Sequence, residues 1–211
     1  FSSTRQNQSV AKLTDQGRPQ FAALDEDRNE PAFVLHVMKD DGTDLEQISY
    51  GQSHDLYPSV LDNGRILFSR WDATGNQNGI SLYTINPDGT DLQLLYGNES
   101  HNTGSVLSTG GGNSTIQFLK SRELRDGRIL ALIAPFSGTT AGGDLVVIDA
   151  AAYINNDQAS LSNLGGVGPG QVSATSQPVS TAPGISVGGR YTSAWPLWDG
   201  TSRVIVGYSI C

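Results

Sequence analysis

An internal repeat constrains the fold of this chain more than any other feature of its sequence. Residues 35–45 and 82–92 begin 47 positions apart, share an alternation of apolar residues and end in the same Asp-Gly-Thr-Asp-Leu string. Each copy is typical of a strand, a tight turn that needs a residue with positive φ, and a second strand. The repeat therefore predicts two equivalent β-hairpins. Their structural turn residues are Gly42, Asp44, Gly89 and Asp91.

A second repeated element starts with Gly-Arg and continues into apolar residues. Its copies begin at Gly17, Gly64 and Gly127, with a weaker Ser-Arg copy at Ser202. The apolar runs 66–68 and 129–133 are nearly continuous, which is typical of strands covered on both faces. The element predicts interior strands that follow structural turns at Gly64 and Gly127.

The two elements combine into one repeating unit. Its strands are predicted at 57–61, 65–71, 80–86 and 91–96, and four antiparallel strands in about 40 to 45 residues are typical of a β-propeller blade. The high glycine content, 25 residues, and the low charged fraction, 16%, also favour an all-β chain with many tight turns.

The number of units predicts an incomplete ring. The chain holds about three blades plus partial blades at both ends, whereas propellers close with four to eight. We therefore expect residues 1–211 to be a single portion of a larger propeller, completed by a longer polypeptide or by other chains. Two low-complexity segments, 102–114 and 155–190, are predicted as inserted loops. A short helix at 149–153 is only weakly indicated.

Charge and composition exclude several classes of partner. The formal net charge of −8 provides no basic stripe for phosphates, which argues against nucleic acid and anionic membranes. No apolar run approaches the roughly 20 residues needed for a membrane span. Cys211 is the only cysteine, so the chain can form neither an internal disulfide nor a cysteine-rich metal cluster.

Two histidines form the candidate metal site. His54 and His101 stand 47 positions apart, the same offset as the hairpins, and each has a nearby carboxylate, Asp55 and Glu99 respectively. Imidazole and carboxylate are suitable ligands, so one hypothesis is a metal ion at one end of the propeller. The alternative is that each histidine hydrogen-bonds the connection between blades, as polar residues of repeats commonly do.

Other residue groups give weaker signals. The aspartates of the hairpin turns could suggest calcium, but the ligand pattern of a helix-loop-helix calcium site is absent, and turns that use Asp to accept backbone N–H groups explain them. Nucleophile-elbow, phosphate-loop and dinucleotide strings are missing. Three tryptophans could form a carbohydrate-stacking platform, although packing between blades is the favoured interpretation. They are Trp71, Trp195 and Trp198.

The hairpins and the Asn/Asp-Gly-Arg-Ile strands resemble the repeats of TolB-type propellers over about residues 33–150 and 191–210. More narrowly, residues 49–55, 57–58 and 64–72 and the Trp-Pro-Leu-Trp-Asp-Gly string at 195–200 look like the middle propeller domain of hydrazine synthase alpha-subunit-like proteins. Both resemblances imply a propeller fold. In place of the Ser-Pro-Asp-Gly turn of TolB repeats, this chain has Leu-Asp-Asn-Gly at 61–64, and its third unit is degenerate.

The narrower resemblance implies a periplasmic, extracellular or other cell-envelope location, in a protein whose propeller sits among c-type haem domains. No Cys-x-x-Cys-His string occurs here, so no covalent haem is expected in this stretch. Our first hypothesis is a non-catalytic scaffold or protein-interaction module that binds a protein partner or the remaining blades. The alternative is a portion of a hydrazine-synthase-like multihaem redox enzyme whose haem sites lie outside this stretch.

Overall fold

A computed structural model describes residues 1–6, 11, 14–17, 22–25, 27–73, 77–104, 115–138, 142–177 and 179–210. Fifteen strands and one 3-10 turn, Leu161–Asn163, are defined within these ranges. The strands are β1 (Ser2–Ser3), β2 (Val34–Val37), β3 (Glu46–Gln47), β4 (Asp55–Val60), β5 (Ile66–Asp72), β6 (Gly79–Ile85), β7 (Gln93–Tyr96), β8 (Ile116–Glu123), β9 (Ile129–Pro135), β10 (Asp144–Ile148), β11 (Tyr153–Asn155), β12 (Gln158–Ala159), β13 (Gln171–Ser173), β14 (Arg190–Pro196) and β15 (Val204–Ser209).

The strands form antiparallel sheets that follow one another along the chain. The first sheet is β1-β2-β3, the second is β4-β5-β6-β7, the third is β8-β9-β10-β13, and the last is β14-β15, while β11 and β12 form a separate hairpin. The leading strands β4, β8 and β14 each pack against the preceding sheet. The predicted all-β class is confirmed, and the arrangement is consistent with a β-propeller-like fold.

The hydrophobic core lies between neighbouring sheets because the central strands are apolar on both faces. Along β5, Ile66 and Phe68 join a cluster shared with the first sheet, whereas Leu67 joins one shared with the third sheet. Successive side chains of a strand point to opposite faces, so β5 serves two interfaces at once. Strand β9 does the same: Ile129 faces the second sheet, and Leu130 packs with Ala194 of the last sheet.

The structure confirms the predicted hairpins. Strands β2 and β3 pair antiparallel, as do β6 and β7, and the turn glycines Gly42 and Gly89 have φ of 84° and 80°. In the first turn the side chain of Asp41 accepts hydrogen bonds from the backbone N–H and the hydroxyl of Thr43. These bonds lower the pKa of Asp41, which fits a carboxylate that stabilises the turn.

Two sequence-based predictions in this part of the chain have different outcomes. The strand expected after the first Gly-Arg copy, at Gly17, stays a prediction, and among the described residues Ser2 and Ser3 pair with β2 on the side opposite β3. Residues 18–21 lie outside the described part of the chain, and near them only Leu24 forms a bridge, to Pro31. The weakly indicated helix at 149–153 is a turn that leads into β11.

The segment 155–190 contains more regular structure than a simple loop. It includes β12 and also β13, which pairs with β10 as the fourth strand of the third sheet. Between β10 and β13 the chain crosses to the second sheet, where Gly97 N donates to Ile154 O and Glu99 N donates to Asn155 Oδ1. Of the other predicted loop, 102–114, residues 105–114 lie outside the described part of the chain.

The rest of this segment is held by a buried arginine. Arg190, fully buried at the start of β14, donates hydrogen bonds to the carbonyl oxygens of Ser180, Ala182 and Gly184. A guanidinium group presents five donors, so one side chain can satisfy several loop carbonyls.

Among the described residues, no helix is long and apolar enough to span a membrane.

The two turn glycines provide a matched test of how closely the sheets approach each other. A Cβ at Gly89 would lie 2.7 Å from the backbone oxygen of Ile48 in the neighbouring sheet, whereas a Cβ at Gly42 would meet nothing within 4 Å. Gly42→Ala should lower the free energy of unfolding by about 1 kcal/mol, the cost of a left-handed alanine. Gly89→Ala should cost about 1 kcal/mol or more beyond that, because the backbone must also shift. Urea denaturation of both variants measures the difference, and equal losses would contradict the close approach.

Asp144 should make stability depend on pH. Its side chain is buried, and burial raises its pKa to about 6, although hydrogen bonds from Leu145, Val179 and Ser173 oppose the rise. The folded chain therefore holds this proton more tightly than the unfolded chain. The resulting stabilisation is fully present below the unfolded value near 3.8 and is lost as pH rises through about 6.

Asp144→Asn removes the ionisation. Across pH 4 to 6, the free energy of unfolding of the wild type should fall relative to that of the variant, as measured by denaturation at each pH. Parallel pH profiles for the two proteins would show that Asp144 titrates normally in the folded state.

Candidate functional site

The leading strands share an irregularity that the repeat did not reveal. Each carries one extra residue relative to its partner strand, between Leu56 and Ser59 in β4, between Leu119 and Arg122 in β8, and between Tyr191 and Ser193 in β14. Such β-bulges bend a strand and redirect its side chains. The bulges of β4 and β8 therefore occupy corresponding places in successive sheets, whereas the bulge of β14 lies farther from the end of its strand.

Side chains at the bulges connect the leading strands to one another. Tyr57 and Lys120 have φ of 54° and 50°, unusual values for residues with large side chains. The Lys120 ammonium lies 5.5 Å from the centroid of the Tyr57 ring and donates a hydrogen bond of 2.7 Å to the carbonyl of Thr192. One lysine thus contacts two neighbouring sheets, and nothing in the local sequence of β8 signals this role.

A cavity of about 310 Å³ opens where the three leading strands end. We name it the Arg122 cavity. Its lining comes from β4, β8, β14 and the turn after β14: Pro58, Ser59, Val60, Arg122, Glu123, Trp195, Pro196 and Trp198. The Arg122 guanidinium carbon lies 4.6 Å from the centroid of the Trp195 ring, a cation–π contact. The cavity therefore combines one cation and the carboxylate of Glu123 with a mainly apolar wall.

The tryptophans of this cavity are not where the favoured interpretation puts them. Trp195 is 57% exposed and Trp198 is 52% exposed, so neither is packed between sheets. Trp71 lies at the other end of the leading strands, where its ring stacks on His54 with centroids 6.0 Å apart. The packing prediction is wrong for Trp195 and Trp198 because both side chains line the Arg122 cavity, where the three leading strands end.

His54 and His101 occupy equivalent positions, as their spacing predicts. Phe33 N donates to His54 Nδ1 over 3.0 Å, and His101 Nε2 donates to the carbonyl of Ile80 over 3.2 Å. Phe33 and Ile80 are themselves 47 positions apart, so each histidine, which precedes a leading strand, contacts the corresponding backbone position of the preceding sheet. Gly79 makes room for the second ring, because a Cβ there would lie 2.5 Å from His101 Cε1.

The two carboxylates of the metal hypothesis have partners within the protein. Asp55 accepts two hydrogen bonds from Arg70, of 2.7 and 2.9 Å, and Glu99 Oε1 accepts one from the Asn98 amide. Within the described ranges, no group of three or more His, Cys, Asp or Glu residues is placed to hold a metal ion. These contacts fit the alternative hypothesis, in which each histidine hydrogen-bonds the connection between neighbouring sheets. A metal ion at this place stays a prediction.

The Asp55–Arg70 ion pair is deeply buried, with side-chain exposures of 0% and 10%. Asp55 is fully buried, and the Arg70 guanidinium carbon lies 5.4 Å from the ring centroids of both Phe68 and Tyr83. The Tyr83 hydroxyl donates to Asp72, whose pKa is raised by burial. Because Asp55 begins β4, this network fixes the entry into the second sheet.

The ion pair yields a stability prediction with a matched control. Asp55→Asn leaves the Arg70 charge buried without its counterion and should lower the free energy of unfolding by about 3–5 kcal/mol. Asp91→Asn breaks the exposed ion pair with Arg65 and should change it little, because solvent screens that pair. Chemical denaturation compares the two variants. Similar small losses would show that the buried pair contributes no more than the exposed one.

Strand β15 has an unpaired edge among the described residues. By sequence it corresponds to β5 and β9, which are buried, yet within the described part of the chain it pairs with β14 alone and is exposed on both faces. Its exposed apolar side chains are Val204, Ile205, Val206 and Tyr208. Unpaired N–H and C=O groups along such an edge are ready to bind another strand.

The chain is similar in structure to hydrazine synthase from Kuenenia stuttgartiensis, with a TM-score of 0.57 and 19% sequence identity. The match covers 89% of this chain but only 23% of that protein chain. No protein family and no curated protein matches the sequence. At this identity the likeness shows a shared fold and a distant structural relationship, and it does not extend to a TolB-type assignment.

Proposed function

We propose that this chain is a non-catalytic scaffold, part of a β-propeller in which each sheet is one blade. The proposal rests on the exposure of strand β15. By sequence β15 corresponds to the interior strands β5 and β9, but its side chains are mostly exposed. A protein segment that pairs with β15 would extend the last sheet toward the four strands of the second and third sheets. The segment would come from the remaining blades of the same protein or from a protein partner.

The energetics favour such an occupant. Complete burial of a Val, Ile or Tyr-sized apolar side chain contributes about 1.5–3 kcal/mol. Four such side chains on β15 are only partly covered, among them Ile205, which is 61% exposed. Their coverage would contribute on the order of several kcal/mol, and backbone pairing would add the register that makes the contact specific.

The proposal also includes the type of repeat and the cellular location of the protein. The Gly-Arg-Ile strands and the Asp-Gly-Thr-Asp-Leu hairpins support a TolB-like repeat protein of the periplasm or cell envelope. In such a protein the module would position other domains rather than perform chemistry. This chain carries no Cys-x-x-Cys-His string, so any covalent haem would belong to another part of the molecule.

The structural likeness to hydrazine synthase favours a second candidate function. Under it, this chain is the scaffold portion of a multihaem redox enzyme whose haem sites lie elsewhere. The absorbance spectrum of the intact protein separates the two candidates. A Soret band supports the redox enzyme, and its absence from a fully assembled protein excludes that candidate while leaving the scaffold in place.

Hydrogen–deuterium exchange of the intact protein tests the scaffold proposal. The amides of β15 that do not bond to β14 should exchange slowly, at rates near those of β5, because a neighbouring strand covers them. Rapid exchange at these amides, at the rate of an exposed loop such as the one at Leu161, would show that nothing pairs with the edge.

A substitution pair adds a second measurement. Ile205→Glu should abolish association with the occupant of the edge, either as a lost complex or as a destabilised intact protein. Leu161→Glu, at a loop position that is 88% exposed, is the matched control and should change neither property. Unaltered association and stability in both variants would contradict the assigned surface.

A further inference from the structure

We infer that the Arg122 cavity binds a small organic carboxylate, a monoanion with an apolar body. The inference is independent of the scaffold proposal, since it concerns a different face and a different kind of ligand. It rests on an uncompensated charge, on the shape of the cavity and on the position of one competing carboxylate.

Arg122 differs from other arginines of the described chain. Several arginines each form an ion pair with an aspartate: Arg65 with Asp91, Arg70 with Asp55, Arg128 with Asp126, and Arg203 with Asp199. Arg122 has no such partner among the described residues. Its Nη1 donates to the carbonyl of Ser121, and its Nε is buried without a hydrogen bond.

Burial makes the Arg122 charge costly. The side chain is partly buried, and burial lowers its pKa. A buried cation without a counterion is unfavourable, and an anion that docks on it recovers that cost as binding energy. The guanidinium of Arg122 is the group on which such an anion would dock.

The lining of the cavity selects the shape of the ligand. The Trp195 ring contacts the Arg122 guanidinium, whose carbon lies 4.6 Å from the ring centroid. A carboxylate matches the edge of a guanidinium through two parallel hydrogen bonds, whereas an ammonium or a neutral group does not. Val60, Pro58 and Trp198 provide an apolar wall for the rest of the molecule, and about 310 Å³ suits a ligand of a few to a dozen non-hydrogen atoms.

Glu123 restricts the charge of the ligand. Its carboxylate also lines the cavity, where its Oε2 accepts a hydrogen bond from the backbone N–H of Asp62. A second negative group on the ligand would be repelled by it. The cavity therefore favours a monocarboxylate over phosphate or a dicarboxylate.

Calorimetric titration of the intact protein with cyclohexanecarboxylate tests the inference. Its neutral isostere, cyclohexanecarboxamide, is the matched ligand control. The carboxylate should bind at least tenfold more tightly than the amide, because a hydrogen-bonded charge pair is worth about that factor or more. Equal affinities, or no binding of the carboxylate, would overturn the inference.

Variants locate the binding site. Arg122→Gln should weaken carboxylate binding at least tenfold and leave the weak binding of the amide unchanged. Arg125→Gln, at an exposed arginine outside the cavity, should leave both affinities unchanged. Equal weakening by both variants would point to general charge attraction and overturn the assignment to Arg122. The comparison of the two ligands on the wild type stands even if a variant fails to fold.

A failed carboxylate titration would leave the scaffold proposal intact, because exchange at β15 is measured without ligand. Conversely, a fast-exchanging β15 with normal carboxylate binding would remove the scaffold proposal and retain the cavity.

Discussion

The structure depends on one constraint: a sheet that is apolar on both faces needs a neighbour on each side. Strands β5 and β9 meet it by sending alternate side chains into two different clusters, so that Leu67 and Phe68 stabilise different interfaces. No single sheet of this kind is stable alone, since the apolar side chains on both of its faces would remain in water. The polar features of the molecule, from the Asp55–Arg70 pair to the bulges, are arranged around these interfaces.

Much of this fold could be predicted because a repeat converts local patterns into equivalent structures. The hairpin at Gly89 follows from the hairpin at Gly42, and the burial of β9 follows from its apolar run. Strand β13 could not be found in this way, because three residues within a Gly- and Ser-rich segment carry too little pattern. The pairing of Ser2 and Ser3 with β2 could not be predicted either, because two serines carry no strand pattern.

The candidate sites show the same division. The spacing of His54 and His101 correctly implied equivalent places, and their partners could be assigned only once Phe33 and Ile80 were located in space. Arg122 gave no signal in the sequence. Its significance lies in a missing counterion, and that is a property of three strands that are distant along the chain.

The crossing of residues 149–170 to the second sheet has a mechanical consequence. Tyr96 and Thr103 bind the side chain of Gln171, and Ser100 binds the backbone of Asn156, so a segment of the third sheet is fastened to the outer strand of the second. A displacement of the second or the third sheet therefore strains the hydrogen bonds that join the two sheets. The pair should behave as one cooperative folding unit, whereas the first and last sheets can fray from it separately.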